Sequence, residues 1–401
     1  MIHTNPRLRI LHVVPTYIPA WRYGGPIRSV HGLCRSLVRQ GHEVHVFTSS
    51  MDGPGELDVP LGQSVNLDGV MVRYDRPGWP RRLNRYPGLL VALREQLATF
   101  DLVHLHGVFL WSTWATARLA ERAGVPYVVS PRGMLVRELI RRRSRLAKTL
   151  WIRLIEQRTL ARAAFLHLTA IREQEDLDQL NLSTAAVRII PNGIDPPDPA
   201  TMGEPFILPK AVTEAENGFI LFLGRVNWKK GLDRLIKALP TVPKAILVIA
   251  GNDEEGYRHH LERLIAELHL VGRVFFVGTV GDQQKWGLLQ QARVLALTSY
   301  SENFGNVILE AMQMGCPVVV TEEVGLAHTV TDLACGVVTP GDPGAIAHWL
   351  RYILDHPEQG RIWGQNGQHA AREHFSWDTV GASMVAHYRS VLAKQGSMDQ
   401  P

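Results

Sequence analysis

Two glutamates frame a short turn in the stretch SENFGNVILEAM, where seven residues separate Glu302 from Glu310. The strand-like run RVLALTS precedes them, so Glu302 is predicted in a loop and Glu310 about two turns away on the following helix. The amides near Phe304, Gly305 and Asn306 would lie in the first turn of that helix, where N–H groups lack intrahelical partners and can bind oxygen atoms. The pattern suits an oxygen-rich ligand, although two solvated surface glutamates are the alternative interpretation.

Two cations lie in a similar position in FLGRVNWKKG, which also ends a predicted strand and enters a helix. Arg225 and Lys230 are five residues apart around that turn. A guanidinium binds phosphate through two parallel hydrogen bonds and an ammonium binds it as a point charge, so the pair matches a diphosphate. Ordinary surface charge is again the alternative.

Two further features lie after predicted strands of the first half of the chain. Gly24 and Gly25 precede Pro26 at the start of a helix, where paired glycines let the backbone approach a ligand. This pair lacks the three spaced glycines of a dinucleotide fingerprint. In HLHG, His104 and His106 share one strand face, with His106 at the carboxyl end. A lone strand histidine is more often structural than functional.

The elements that would position these residues follow a strand–helix–strand pattern. RILHVV, HEVHVF, LVHLH, PYVVS and AFLHLTA alternate with amphipathic helical runs, and a second such series begins at FILFLG. The segment PNGIDPPDPATMGEP between them is typical of a linker. We therefore expect an α/β protein with two Rossmann-like, doubly wound parallel sheets facing a cleft, comprising residues 1–200 and 201–375. A closing helix over 376–395 would pack back on the first domain.

Composition narrows the class of protein. The 401 residues are 45% hydrophobic and 20% charged, and no run approaches the roughly 18 apolar residues that span a bilayer. The apolar run at the N-terminus is short and ends at Pro15, which favours a first strand over a signal peptide. The three cysteines lack metal-ligand spacing, so we expect a cytoplasmic protein.

The net charge of +5 is concentrated in one segment. Eight basic and two acidic residues lie between Arg137 and Arg158, and the apolar positions of 136–160 predict an amphipathic helix. Such a helix can dock on anionic lipid of the inner leaflet, making the protein peripheral to the membrane. A charged helix packed on its own domain is the alternative, and a nucleic-acid partner is disfavoured because no readout motif accompanies the charge. The candidate residues on this acceptor or membrane side are Arg132, Arg141, Arg142, Arg143 and Arg145.

In this order and at these strand ends, the motifs resemble glycosyltransferase family 4, retaining enzymes of the GT-B fold that use nucleotide sugars. SENFGNVILEAM with GCPVVV resembles the two-glutamate motif of the family, and GRVNWKKG resembles its diphosphate motif. PNGID and FSWDTV are similar to less specific family signatures. The resemblance extends over nearly the whole chain.

The resemblance implies a role for each candidate residue. Glu310 would hold the ribose hydroxyls of the donor, Glu302 would contact the donor sugar, and Arg225 with Lys230 would neutralise the diphosphate. The remaining contacts would be the amides of Phe304, Gly305 and Asn306 with the sugar, Gly24 and Gly25 with the phosphates, His106 with the transferred sugar, and the backbone of Thr279 and Val280 with the base.

No cofactor and no metal are expected beside the donor. Preorganised cations and helix dipoles can stabilise the charge that develops on a departing diphosphate. The one Asp-x-Asp sequence, Asp176 to Asp178, lies in a predicted helix and not at a strand end.

The function expected is transfer of a hexose from a nucleotide-diphosphate sugar to a lipid-linked or growing glycan, with a polyprenyl-diphosphate acceptor, in exopolysaccharide or lipopolysaccharide biosynthesis. A catalytically degenerate nucleotide-binding partner of a polysaccharide synthase is the alternative. A glycoside hydrolase using Glu302 and Glu310 as acid and base is disfavoured, because the cations would then have no role. The nucleotide, and the choice between front-face attack and a covalent intermediate, stay open.

Overall fold

The computed structural model describes residues 6–137, 140, 145–197, 206–253 and 256–398. The chain forms two compact units, one of Met1–Gly193 with Trp377–Pro401 and the other of Ile194–Ser376. The boundary between the two units therefore lies between Gly193 and Ile194, a few residues before the 200/201 boundary that the sequence predicts. The positions Arg141, Arg142 and Arg143 lie outside the described residues, as does the side chain of Arg145.

The first unit is built on an eight-stranded sheet with the order β10-β9-β8-β7-β1-β2-β6-β5, parallel except for the β5–β6 pair. The short runs of its central strands β1, β2, β7, β8 and β9 are buried on both faces, as is typical of a parallel sheet. The strands, with the separate β3–β4 hairpin, are β1 (Arg9–Val13), β2 (Glu43–Ser49), β3 (Met51–Asp52), β4 (Gly55–Glu56), β5 (Ser64–Leu67), β6 (Val70–Asp75), β7 (Leu102–His106), β8 (Tyr127–Ser130), β9 (Phe165–Leu168) and β10 (Val187–Ile189).

Helices cover this sheet and begin after the carboxyl ends of the parallel strands. They are α1 (Gly25–Arg39), α2 (Pro87–Gln96), α3 (Trp111–Ala123), α4 (Arg145–Trp151), α5 (Gln157–Ala161) and α6 (Ile171–Asp178). A π-helical turn, Ile152–Glu156, joins α4 to α5. The continuous α-helix predicted over 136–160 is thus interrupted, because the side chain of buried Glu156 accepts bonds from the Phe109 amide and the Trp151 indole, 3.0 and 2.8 Å away. Asp176 and Asp178 lie on α6, as predicted.

The second unit carries a six-stranded, fully parallel sheet with the order β13-β12-β11-β14-β15-β16. Its strands are β11 (Ile220–Leu223), β12 (Leu247–Ala250), β13 (Val274–Gly278), β14 (Val294–Leu297), β15 (Val318–Thr321) and β16 (Gly336–Thr339). Its helices are α7 (Lys210–Thr213), α8 (Leu232–Ala238), α9 (Tyr257–Glu267), α10 (Asp282–Gln291), α11 (Asn306–Gln313), α12 (Ala327–Asp332), α13 (Pro343–Asp355) and α14 (Pro357–His374).

The last helix, α15 (Trp377–Met398), returns to the first unit and packs on α1. A Cβ added at Gly32 would lie 2.3 Å from the ring of Trp377, so glycine is needed where the two helices meet. Tyr388 is fully buried in the core under α1. No helix among the described residues is both long and apolar enough to span a membrane.

Both sheets are doubly wound, and each has one point where the strand order reverses. This point lies between β1 and β7 in the first unit and between β11 and β14 in the second. Ligands of open α/β sheets bind outside the carboxyl ends of the strands at such points. The loops after β1, β11 and β14 contain most of the predicted donor-binding residues.

Candidate active site

The loops after β11 and β14 bring the diphosphate and glutamate motifs together. The Nζ atom of Lys230 contacts the Oε2 atom of Glu302, and both side chains are largely buried, at 18% and 19% exposure. The residues are 72 positions apart in the sequence, so the pair exists because β11 and β14 are neighbours in the sheet. The structure therefore joins two motifs that the sequence presents separately.

The Lys230 loop has a fixed shape. Asn227 accepts a bond from the Lys229 amide at 3.1 Å, and Gly231 takes a left-handed conformation at φ +61°. A Cβ at Gly231 would lie 1.9 Å from the Thr298 carbonyl oxygen. The Thr298 hydroxyl also donates to the Gly231 carbonyl at 2.9 Å. Only glycine fits this close approach between the two loops.

The Glu302 loop is braced by the segment after β15. The Glu302 amide donates to the Glu323 carbonyl at 3.2 Å, and its own carbonyl accepts from the Gly325 amide at 2.8 Å. A Cβ at Gly325 would lie 1.9 Å from the Asn303 oxygen, so these two stretches also pack too closely for a side chain. The position of the Glu302 carboxylate is consequently set by backbone hydrogen bonds on both sides.

Helix α11 begins immediately after this loop. Gly305 is left-handed at φ +93°, Phe304 is buried, and Asn306 is the first helical residue. The first-turn amides therefore lie beside Glu302 at the carboxyl edge of the sheet, where an anion or a polar oxygen is favoured.

Glu310, farther along α11, pairs with a lysine that is not among the residues predicted from the sequence. Its Oε1 atom lies 2.7 Å from the Nζ atom of Lys285 on α10, and the side chains are 15% and 12% exposed. Lys285 also lies over the ring of Trp286 at 4.6 Å. The signal available in the sequence was a lone lysine in the first turn of the helix after FFVGTV, which is too weak to single out.

The other predicted donor contacts lie on the same edge of the second unit. Arg225 is exposed two residues after β11. Thr279 and Val280 follow β13, two strands from β11 in the sheet order, which corresponds to about 10 Å at the usual strand spacing. This distance is appropriate for a nucleoside whose phosphates lie at β11.

The glycine pair of the first unit lies after β1. Gly24 has φ +70°, and a Cβ placed there would meet no atom within 4 Å. Glycine is thus required by the backbone conformation and not by crowding from the protein. The open space beside it is compatible with the predicted approach of a ligand.

His106 belongs to a buried group that we call the histidine cluster, consisting of His12, His104, His106, His167, Ser130, Arg132 and Tyr388. Its first hydrogen-bond chain ends at a carbonyl, which fixes the donor and acceptor roles of neutral imidazoles along the chain. His167 Nε2 donates to the Ile190 oxygen (2.9 Å), so its Nδ1 accepts from the Ser130 hydroxyl (2.7 Å). Ser130 then accepts from His104 Nε2 (2.7 Å), and His104 Nδ1 accepts from the Tyr388 hydroxyl (2.6 Å).

A second chain in the cluster begins at a cation. Arg132 can only donate, so His106 Nδ1 accepts its bond at 3.3 Å. His106 must then carry its proton on Nε2 and donate to His12 Nδ1 at 3.0 Å. The proton of His12 is left on Nε2, a buried atom without a partner among the described residues. Both nitrogens of His106 are thus engaged by the protein, and the residue is 2% exposed.

Burial is the main cause of the titration behaviour of this cluster. Burial, together with repulsion from Arg132, lowers the pKa of His12 and of His167 to about 3. The pKa values of His104 and His106 are lowered well below the usual range for the same reasons. The four histidines are therefore neutral at pH 7.

Three of these histidines, His12, His104 and His106, are close enough to suggest a metal centre. The hydrogen-bond chains do not fit one, because each imidazole lone pair already accepts a hydrogen bond from Arg132, His106 or Tyr388. A nearby guanidinium would also repel a metal ion. We assign no metal to these residues.

Comparison with known proteins agrees with this geometry. Residues 24–193 match the model of the glycosyl transferase 4-like domain, and residues 205–370 match that of glycosyl transferases group 1. The chain belongs to the GT4-type glycosyltransferases. It is 29% identical over 413 residues to a D-inositol 3-phosphate glycosyltransferase of Xylanimonas cellulosilytica, covering 98% of each chain.

Solved structures show that this glycosyltransferase has the GT-B fold. Sucrose-phosphate synthase from Thermosynechococcus elongatus superposes with a TM-score of 0.77 at 23% identity, covering 97% of this chain and 100% of the other. HepE of Anabaena in complex with UDP-glucose gives a TM-score of 0.72 at 20% identity, covering 96% and 100%. The predicted fold class and family are confirmed.

Proposed function

We propose that this glycosyltransferase moves a hexose, with retention, from a nucleotide-diphosphate sugar to a lipid-linked or growing glycan of a cell-surface polysaccharide. The observation that carries the donor assignment is the pair of Lys–Glu contacts, Lys230 with Glu302 and Lys285 with Glu310, at the strand-order reversal of the second unit. The UDP-glucose in the HepE structure supports a nucleotide-sugar donor.

In this proposal each group of the second unit has a separate task. Lys230 and Arg225 bind the diphosphate and stabilise the charge that builds up on it as the sugar departs. Glu310 accepts hydrogen bonds from the ribose hydroxyls, and Glu302 with the first turn of α11 binds the sugar. The cations supply the charge that a metal would otherwise provide, so we expect transfer to proceed at an unchanged rate in EDTA.

The donor site is tested by titration calorimetry with UDP and with GDP, on the wild type and on Glu310→Ala. We expect one nucleotide to bind and the variant to bind it about 10- to 100-fold more weakly, because charge-assisted hydrogen bonds to ribose are lost. Glu262→Ala is the matched control, since Glu262 lies on α9 of the same unit in an exposed pair with Arg258. Equal binding by Glu310→Ala and the wild type would contradict the assignment.

We also propose that the segment α4–α5 docks on anionic lipid at the inner face of the membrane, where a polyprenyl-diphosphate acceptor would be presented. Leu150 and Leu154 are 58% and 68% exposed one helical turn apart. The exposed cations Arg153 and Arg158 lie on the same segment. Apolar anchors flanked by cations are the composition expected of an interfacial helix.

Vesicle sedimentation tests this docking. The double variant Leu150→Glu/Leu154→Glu should bind vesicles that contain anionic lipid roughly tenfold more weakly than the wild type does. Val271→Glu is a matched control, since Val271 is a 77% exposed apolar residue of the second unit. Equal binding by the double variant and the control, or equal binding to zwitterionic vesicles, would contradict lipid docking.

A further inference from the structure

We propose that Arg132 is the phosphate-binding residue of the first unit and receives a phosphate group of the acceptor. This inference rests on the proposed transferase function, because it assigns a chemical class to the acceptor. It concerns the carboxyl edge of the first sheet, two strands away from β1 and its glycine pair.

Among the residues that the structure describes, no carboxylate is bonded to Arg132. Its guanidinium donates to His106 Nδ1 at 3.3 Å and to Asn192 Oδ1 at 3.0 Å, and both partners are neutral. Because burial keeps all four histidines neutral, Arg132 is the member of the histidine cluster that carries a formal charge. A buried cation normally has an anionic partner, since desolvation of a lone charge is costly.

Glu173 is the carboxylate whose charge Arg132 feels most, yet it is occupied by other donors. One of its oxygens accepts from the Gly133 amide at 2.7 Å, and the other accepts from the amide and hydroxyl of Thr169 at 2.8 and 2.9 Å. Burial lowers the pKa of Arg132 more than Glu173 raises it. The net effect is a cation that would be stabilised by a further anion.

The guanidinium also has donors to offer. An arginine has five N–H groups, and two of those on Arg132 have partners among the described residues. Its buried Nε has no partner in the described part of the chain, whereas the residue as a whole is partly exposed. A planar fork of unused donors matches the oxygens of a phosphate bidentately.

The backbone at Arg132 is specialised as well. The residue has φ +55°, which is uncommon for a residue other than glycine and costs free energy. This conformation directly follows the end of β8, next to β7, whose last residue is His106. Asn192 and His106 then hold the guanidinium from two sides. Such a preorganised cation at a strand end is arranged for a ligand and not for the stability of the core.

The phosphate could belong to a lipid diphosphate or to a water-soluble sugar phosphate. We test both with two probes, farnesyl diphosphate and glucose 6-phosphate, titrated by calorimetry into the protein saturated with its nucleotide. Arg132→Gln keeps an N–H donor for His106 but removes the charge. Arg132→Lys keeps the charge but removes the fork and serves if the glutamine variant does not fold. Arg35→Gln, at a partly exposed arginine of α1, is the control.

We expect one probe to bind the wild type and Arg35→Gln, and to bind Arg132→Gln about 10- to 100-fold more weakly, with Arg132→Lys between them. Nucleotide affinity should be the same in all four proteins. Equal probe binding by Arg132→Gln and the wild type, or no binding of either probe to the wild type, would overturn the proposal. A tenfold loss of nucleotide affinity in Arg132→Gln would instead assign Arg132 to the donor. If the wild type binds no nucleotide, the proposed function fails, while probe binding to the free protein still reports on Arg132.

Discussion

Replacing Lys285 with methionine tests whether the Lys285–Glu310 pair prepares the donor site. Methionine keeps the apolar stem but removes the ammonium that lies 2.7 Å from Glu310 Oε1. The two side chains are 12% and 15% exposed, so the carboxylate would keep most of its burial and lose its counter-ion. Removing one partner of a fully buried pair costs about 3–5 kcal/mol. Some solvent reaches this pair, and we expect a loss of about 2 kcal/mol in the free energy of unfolding.

The effect on the ligand follows from which oxygen is occupied. Lys285 holds Oε1, so in the proposed function the other oxygen of Glu310 would accept from the ribose hydroxyls with little rotational freedom. Without Lys285 the carboxylate must be ordered on binding, at about 0.5–1.5 kcal/mol. UDP, or GDP if that is the nucleotide bound, should therefore bind roughly 2- to 13-fold more weakly.

The assay compares the natural nucleotide with its 2′,3′-dideoxy analogue in a double-mutant-cycle design. The wild type should bind the natural nucleotide about 10- to 100-fold more tightly than the analogue, because only the former offers hydroxyls to Glu310. In Lys285→Met this preference should fall by the same factor by which the variant binds the natural nucleotide more weakly. Lys244→Met, which breaks an exposed pair with Glu216, is the control. An equal loss for both nucleotides would refute the reasoning, since it would mean that Lys285 acts on the phosphates or on the fold.

Two further predictions concern the framework. Gly231→Ala should destabilise the second unit by about 1–3 kcal/mol and reduce nucleotide binding, because the new Cβ strains a left-handed residue and clashes with the Thr298 oxygen. A thermal melt measures the stability and calorimetry measures the binding. An unchanged melting temperature would contradict the prediction. The free energy of unfolding should fall as the pH drops below about 6.5, because the pKa values of His12 and His167 are depressed to about 3 in the folded chain. Their contribution is present above the unfolded pKa of about 6.5 and is lost toward pH 3, at about 1.4 kcal/mol per pH unit for each histidine. Urea denaturation at pH 7.5 and 5.5 measures this, and equal midpoints would contradict it.

The sequence predicts the fold well because strand ends are marked locally. FLGRVNWKKG contains the end of β11 and a turn glycine, Gly231, directly before α8. SENFGNVILEAM follows β14 and contains a turn glycine, Gly305, directly before α11. Parallel strands all end on one edge, so the order of motifs along the chain already brings the cations and glutamates to that edge. The neighbouring positions of β11 and β14 then follow from the doubly wound topology.

The sequence does not predict which side chains pair within the site. Lys285 meets Glu310 because α10 packs beside α11, and nothing in a helix with one lysine indicates that contact. The predicted helix over 136–160 contains a π-turn because Glu156 bonds to Phe109, a residue 47 positions earlier in the chain. Such contacts depend on how helices are packed on the sheet, and a periodic pattern carries no information about them.

The tautomer and hydrogen bonds of His106 could not be predicted from its motif. In HLHG it is a histidine at a strand end, with either nitrogen able to bind a ligand. In the structure its proton is assigned to Nε2 by Arg132, which follows β8, and that proton is donated to His12 in β1. For His106 to contact a sugar directly, it would have to give up one of these two bonds. The unused donors of Arg132 need no such exchange, which is why an anion in the first unit is more readily received by Arg132 than by the histidine beside it.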